Sequence, residues 1–165
     1  MRFPLEIFDV VRAAFPADRA RLGADLRRPT GCPDGWDIDG TVALSQALKA
    51  RGCAAIHVSS GGVSPQQKIT LGPGYQVPFA QRVKAEVGLP TIAVGLITEP
   101  EQAEAIIASG EADAVSLARA HALRPALAVA CRGQARRAGR GAAPVLALAA
   151  ARVQGPVRER AFGAR

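Results

Sequence analysis

Aromatic side chains are scarce in this chain: Phe, Tyr and Trp together make up 4% of its 165 residues. Cysteine is rarer still, with three at unrelated spacings, which excludes a disulfide framework and any zinc-binding pattern. No uninterrupted apolar run reaches the roughly 18 residues of a membrane span. The opening MRFPLEIFDVVR also lacks the layout of a signal peptide. These absences point to a soluble protein of a reducing compartment, the cytoplasm, without metal or membrane partner. What is abundant argues against disorder: 48% of residues are hydrophobic and the mean hydropathy is +0.10. The length suits one domain with a single core. It is short for a complete α/β barrel of about 250 residues.

The net charge of +7 is unevenly placed. From Arg119 to Arg165 there are ten arginines against one acid, Glu159, a net +9, so residues 1–118 carry −2. A basic tail can bind nucleic acid through counterion release. This one has a single aromatic, Phe162, and no lysine, and a nucleic-acid arm rests on nothing else.

Pro4 to Phe15 reads as a helix, with Leu5, Phe8, Val11 and Ala14 at helical spacing. Pro16 to Pro33 shows no clean period. Asp39 or Thr41 is the expected cap of a helix running to about Arg51 and stopped by Gly52. Ala54 to Val58 is an apolar strand that ends in the loop Ser59-Ser60-Gly61-Gly62. A helix over Val77–Val87, closed by Gly88, leads to a strand over Pro90–Val94. A helix over Glu99–Ser109, with Thr98 as cap and Pro100 at its first position, leads to a strand over Ala112–Leu117. The alternation predicts parallel βα units in an α/β fold.

In such sheets ligands gather at the carboxyl ends of the strands. Gly95 lets the backbone approach a ligand there, because it carries no Cβ. Arg119, just past the next strand, can meet a phosphate bidentately. Taken singly, each residue also fits a turn glycine or a solvated charge; adjacent strand ends make a phosphate cup a reading of equal weight. Other residues carry less. His57 reads as a core or rim residue and Cys53 as a small packed hydrophobe. Ser59 to Gly62 has no histidine–acid partnership that would activate a nucleophile. Lys68 and Tyr75 fall in the long loop after the strand, to line a site or to order the loop.

Several runs fall in order: His57 to Gly62 (HVSSGG), Gln67-Lys68-Ile69, Gly72 to Ala80 (GPGYQVPFA) and Ala93 to Thr98 (AVGLIT). From Arg2 to about Ala120, apart from the irregular stretch, the chain resembles the old yellow enzyme family. Within it, the similarity is to bacterial NADPH dehydrogenases of the xenobiotic reductase type. The resemblance implies the C-terminal half of a (β/α)8 TIM barrel, truncated, whose parent uses FMN and NAD(P)H to reduce activated alkenes. It implies that Gly95, Ala118 and Arg119 bind the FMN phosphate, with alanine at 118 where the family has glycine. The family's substrate-binding histidine pair and proton-donating tyrosine belong to the other half, and Tyr75 does not replace the latter. The flavin-facing arginine falls near Arg21–Arg28, where the pattern is broken. No catalytic residue is assigned within this chain. A half-barrel that binds phosphate or a nucleotide without catalysis is the alternative, and exposed barrel edges favour self-association.

Residues 18–33 and 121–165 depart from the resemblance and read as translation in a shifted frame. Arg28 to Pro33 can be encoded CGA CCG ACT GGC TGC CCG, whose third base opens the family-like string TDWLP. His121 to Cys131 can likewise hide MLYDPRWPWH one base later. The alanine and arginine excess follows from such a shift, although both residues would favour helix in the tail.

Overall fold

The computed structural model describes residues 1–15, 23–27, 35–61, 69–117 and 145–146. Helix α1 spans Arg2–Ala14, strand β1 Gly23–Arg27, helix α2 Ile38–Ala50 and strand β2 Ala55–Ser59. Helix α3 spans Val77–Val87, strand β3 Thr91–Ala93, helix α4 Pro100–Ala108, strand β4 Ala114–Ser116 and strand β5 Val145–Leu146. The five strands form one sheet in the order β1-β2-β3-β4-β5, and every pairing is parallel. An α/β architecture of alternating helices and parallel strands is therefore present, consistent with part of a TIM barrel.

Register fixes which residues share a face. Ile56 pairs with Thr91, Val58 with Ala93, and Ala93 with Val115. These residues are buried, several of them completely, and together with Val83 and Ala80 of α3 they belong to the core beneath the helices. Each fully buried Ile or Val contributes about 1.5–3 kcal/mol of transfer free energy. His57 is in register with Asp25 and Ile92, and Ile92 with Ala114; His57 and Ile92 lie on the face opposite Ile56 and Val58.

Several local expectations need correction. The cap of α2 is Asp37, whose side chain accepts a hydrogen bond from the Gly40 amide at 2.8 Å, not Asp39 or Thr41. Thr41 is fully buried inside the helix, accepting from Trp36 Nε1 and donating to the Asp37 carbonyl. Asp39 instead pairs across to Arg82 on α3. Thr98 does not cap α4: Glu99 stands at that position without a side-chain cap bond, and the Thr98 amide donates to Gln102 Oε1. Pro100 does open α4, where its missing N–H costs nothing. Gly88 closes α3 in the left-handed conformation, φ +67°.

Helix α1 begins two residues earlier than expected, and of its periodic residues Phe8 is buried while Val11 is exposed. The Arg12 guanidinium lies 5.7 Å from the Phe8 ring centre and donates to the Gly52 carbonyl at 2.7 Å, holding α1 on the end of α2. The outward face of α1 carries Phe3, Ile7 and Val10, exposed by 71%, 50% and 69%.

The irregular stretch contains β1, paired along its length with β2. The tail contributes β5, so at Val145–Leu146 the structure has strand where alanine and arginine content favoured helix. The sheet partner decides the conformation there, since helix propensity is a weak prior.

Candidate functional site

The carboxyl ends of β2, β3 and β4 leave the sheet on one rim, because the three strands are parallel and in register. Ser59, Ser60 and Gly61 form the β2 end, and Gly95 to Thr98 the β3 end. Leu117 follows β4. Neither Ser59–Gly61 nor Val94–Thr98 contains an ionisable side chain, so small residues and backbone groups dominate this part of the rim.

Two consecutive residues of the β3 end have positive φ: Gly95 at +118° and Leu96 at +50°. Among the described residues Leu96 is the one non-glycine in that region. Such a conformation costs about 1–3 kcal/mol and persists only where its surroundings hold it. Strain of this kind clusters at ligand-binding loops.

The reason for glycine at 95 lies inside the protein. A Cβ there would stand 3.0 Å from Gln76 Cβ, 3.1 Å from its backbone nitrogen and 3.2 Å from its Cγ. The space expected for a ligand to approach is thus filled by Gln76 on that side of the backbone. Gln76 is buried at 4% exposure. Its Nε2 donates to the Ser60 carbonyl at 2.8 Å and to Ser60 Oγ at 3.0 Å. Two residues earlier, the Gly74 amide donates to the Gly95 carbonyl at 2.8 Å. The turn before α3 therefore reaches two strand ends of this rim, that of β2 through Gln76 and that of β3 through Gly74. Sequence reasoning singled out neighbouring Tyr75 and missed Gln76; a glutamine directly before an apolar helix run was the available signal.

Ala118 and Arg119 lie outside the described residues, as do Gly62, Lys68 and the tail from 121 apart from β5. Tyr75 is half-buried in the turn and its amide donates to the Gly72 carbonyl. His57 is half-buried on β2, on the face opposite Ile56 and Val58. Cys53 is buried and unpaired in a disulfide, and its thiol donates to the Ala55 carbonyl. Burial pushes that thiol above its ordinary pKa, outweighing the smaller lowering effect of backbone hydrogen bonding around Ala55. It packs as the small hydrophobe expected. Among the described residues no group of three or more His, Cys, Asp or Glu side chains could hold a metal ion. No helix there is long and apolar enough to cross a membrane.

At the other end of the sheet Asp113 joins three elements, which the sequence reading also missed. Its Oδ2 accepts from the Thr91 amide at 2.9 Å, its own amide donates to the Thr91 carbonyl at 3.0 Å, and its Oδ1 meets Lys84 Nζ at 2.9 Å.

Comparison with known proteins agrees with this architecture. The chain is 42% identical over 118 residues to an NADPH dehydrogenase of Geobacillus sp. (strain WCH70), covering 72% of this chain and 34% of that protein. It is 46% identical over 87 residues to the NADPH dehydrogenase of Geobacillus thermodenitrificans (strain NG80-2), covering 53% and 25%. Over 85 residues it is 44% identical to the NADPH dehydrogenase of Bacillus licheniformis, covering 52% and 25%. The chain thus spans a quarter to a third of the length of these relatives. Residues 1–136 match the NADH:flavin oxidoreductase / NADH oxidase family as a whole, and the chain belongs to that family.

Proposed function

We propose that this chain is the C-terminal half of an FMN-dependent ene-reductase barrel, whose parent reduces activated alkenes such as α,β-unsaturated carbonyl compounds with NAD(P)H. The family match over residues 1–136 carries this reading. It is supported by the common rim of β3 and β4, where Ala93 pairs with Val115. The cytoplasm is its proposed location.

The described part of the rim fits the phosphate end of FMN. It carries no acid at Ser59–Gly61 or Val94–Thr98, and the first acid beyond it is Glu99 at the start of α4. Its backbone at Gly95 and Leu96 is held in a strained conformation of the kind found in ligand loops. In this reading the Gly95 backbone and Arg119 bind the phosphate, with Ala118 between the strand and the arginine. Arg119 neutralises the dianion and orients it through its planar fork of donors. When bound, FMN supplies the hydride chemistry between nicotinamide and alkene. The chain's own contribution is charge neutralisation and position.

Titration of the 165-residue chain with FMN and with riboflavin, followed by flavin fluorescence, tests the reading. Saturable binding of FMN with none of riboflavin is expected, and no NADPH consumption with an enone, because the residues that meet substrate lie in the other half. Equal binding of both flavins, or of neither, overturns it.

A further inference from the structure

The turn between Gly72 and Gln76 joins the ends of two strands without belonging to either. Gln76 is an amide side chain buried at 4% exposure, at the amino end of α3. Both Nε2 hydrogens are used on Ser60, one on the carbonyl and one on the hydroxyl. Its Cβ and Cγ fill the space that a Cβ on Gly95 would need. The Gly74 amide closes the same turn onto the Gly95 carbonyl. The polar head of Gln76 thus holds β2 while its stem bears on β3.

Left-handed backbone at a non-glycine residue persists only where its surroundings impose it. Leu96 is such a residue and follows directly on the glycine whose missing side chain leaves room for Gln76. A loosened Gln76 would vacate the space beside Gly95, and the peptide between Gly95 and Leu96 could then relax toward ordinary φ. We propose that Gln76 is the positioning residue of the phosphate rim: it clamps Ser60 and Gly95 together and so presets the Gly95–Leu96 backbone for the flavin phosphate. This rests on the reading of that rim as the phosphate end of FMN. Gln76 itself need not touch the cofactor.

Amide hydrogen exchange on the whole chain without flavin, combined with the flavin titration, tests the clamp. In Gln76→Met the stem is kept and both hydrogen bonds are lost. Gln76→Glu keeps the length but offers no N–H to the Ser60 carbonyl. Loss of about 1.4 kcal/mol of hydrogen bonding corresponds to a tenfold change. Exchange at the Gly74 amide, bonded to the Gly95 carbonyl, should therefore rise about tenfold in both variants. The Asp113 amide, bonded to Thr91 at the other end of the sheet, should be unchanged. Ser60→Ala retains the carbonyl bond and should give a smaller rise at the Gly74 amide. FMN affinity should fall with the rise in exchange, about tenfold in Gln76→Met.

Unchanged exchange at Gly74 overturns the clamp. So does an equal rise at Asp113, which marks Gln76 as general packing. A rise confined to the rim while FMN affinity holds shows a clamp without influence on phosphate, and overturns the positioning role. Failure of the native chain to prefer FMN over riboflavin sinks the phosphate reading instead, whatever the exchange pattern.

Discussion

Gln76 occupies the space in which a side chain at Gly95 would begin, with 3.0 Å separating its Cβ from that position. The glycine is demanded by a neighbour nineteen residues earlier as well as by its own φ of +118°.

Gly95→Ala should accordingly destabilise the chain by about 1–3 kcal/mol, through overpacking against Gln76 and backbone strain together. Urea unfolding followed by circular dichroism measures it. Gly95→Ala should cost less in a Gln76→Gly background than in the native chain, because the side-chain overlap is gone while the contact with the residue-76 nitrogen and the φ strain remain.

Asp113 offers a second test, at the opposite end of the strands. Asp113→Ala strips the Thr91 amide of its acceptor and should cost about 1–3 kcal/mol. Asp113→Asn retains an oxygen for that amide and loses only the partly exposed pair with Lys84, so its cost should stay below about 1 kcal/mol. Equal losses in the two variants would contradict the assignment of the stabilisation to the amide bond.

Burial raises the Cys53 thiol above its ordinary pKa. The folded chain therefore holds this proton more tightly than the unfolded chain does. Its contribution to stability is fully present below the ordinary thiol pKa and is lost as pH rises through the raised one. Urea midpoints measured across the alkaline range should fall more steeply for the native chain than for Cys53→Ala. A thiol reagent should also modify Cys53 faster in urea than in buffer.

The outward face of α1 should drive association of the isolated chain. Phe3, Ile7 and Val10 form one exposed apolar stripe. Among the described residues, β1 has no strand beyond it, and an open parallel edge is a template for pairing. Sedimentation at micromolar concentration should give species heavier than the 17.1 kDa monomer. Phe3→Glu with Val10→Glu should shift them toward monomer; a native chain that is monomeric and melts cooperatively would contradict this.

Sequencing the coding DNA tests the frame reading of residues 18–33 and 121–165. The strings TDWLP and MLYDPRWPWH should appear out of frame opposite Arg28–Pro33 and His121–Cys131. Their absence would remove the shifted frame as the source of the arginine-rich tail.

Much of the architecture was legible before any coordinates. Val77 to Val87 announced its helix by spacing, and Gly88 its end, because both signals act within one or two turns of chain. The strand of Thr91 to Ala93 and the opening of α4 at Pro100 were equally local. The cap of α2, expected at Asp39 or Thr41, lies two to four residues earlier, because all three residues satisfy the composition rule and only backbone geometry chose Asp37. Within the irregular stretch β1 was hidden, since its neighbour β2 supplies the pairing that its own sequence does not advertise.

From the amino acids alone came the alternation of helices and parallel strands, the family likeness and the candidate rim at Gly95, Ala118 and Arg119. Periodicity, capping and motif order are short-range, and short-range signals survive in one dimension. Tertiary structure alone decided that Gln76 binds Ser60 and backs Gly95, and that Asp113 meets Thr91 twenty-two residues away. Those contacts depend on strand register and on the angle at which each turn leaves the sheet. Both are set by packing of the whole sheet against its helices, and no local stretch of sequence encodes them.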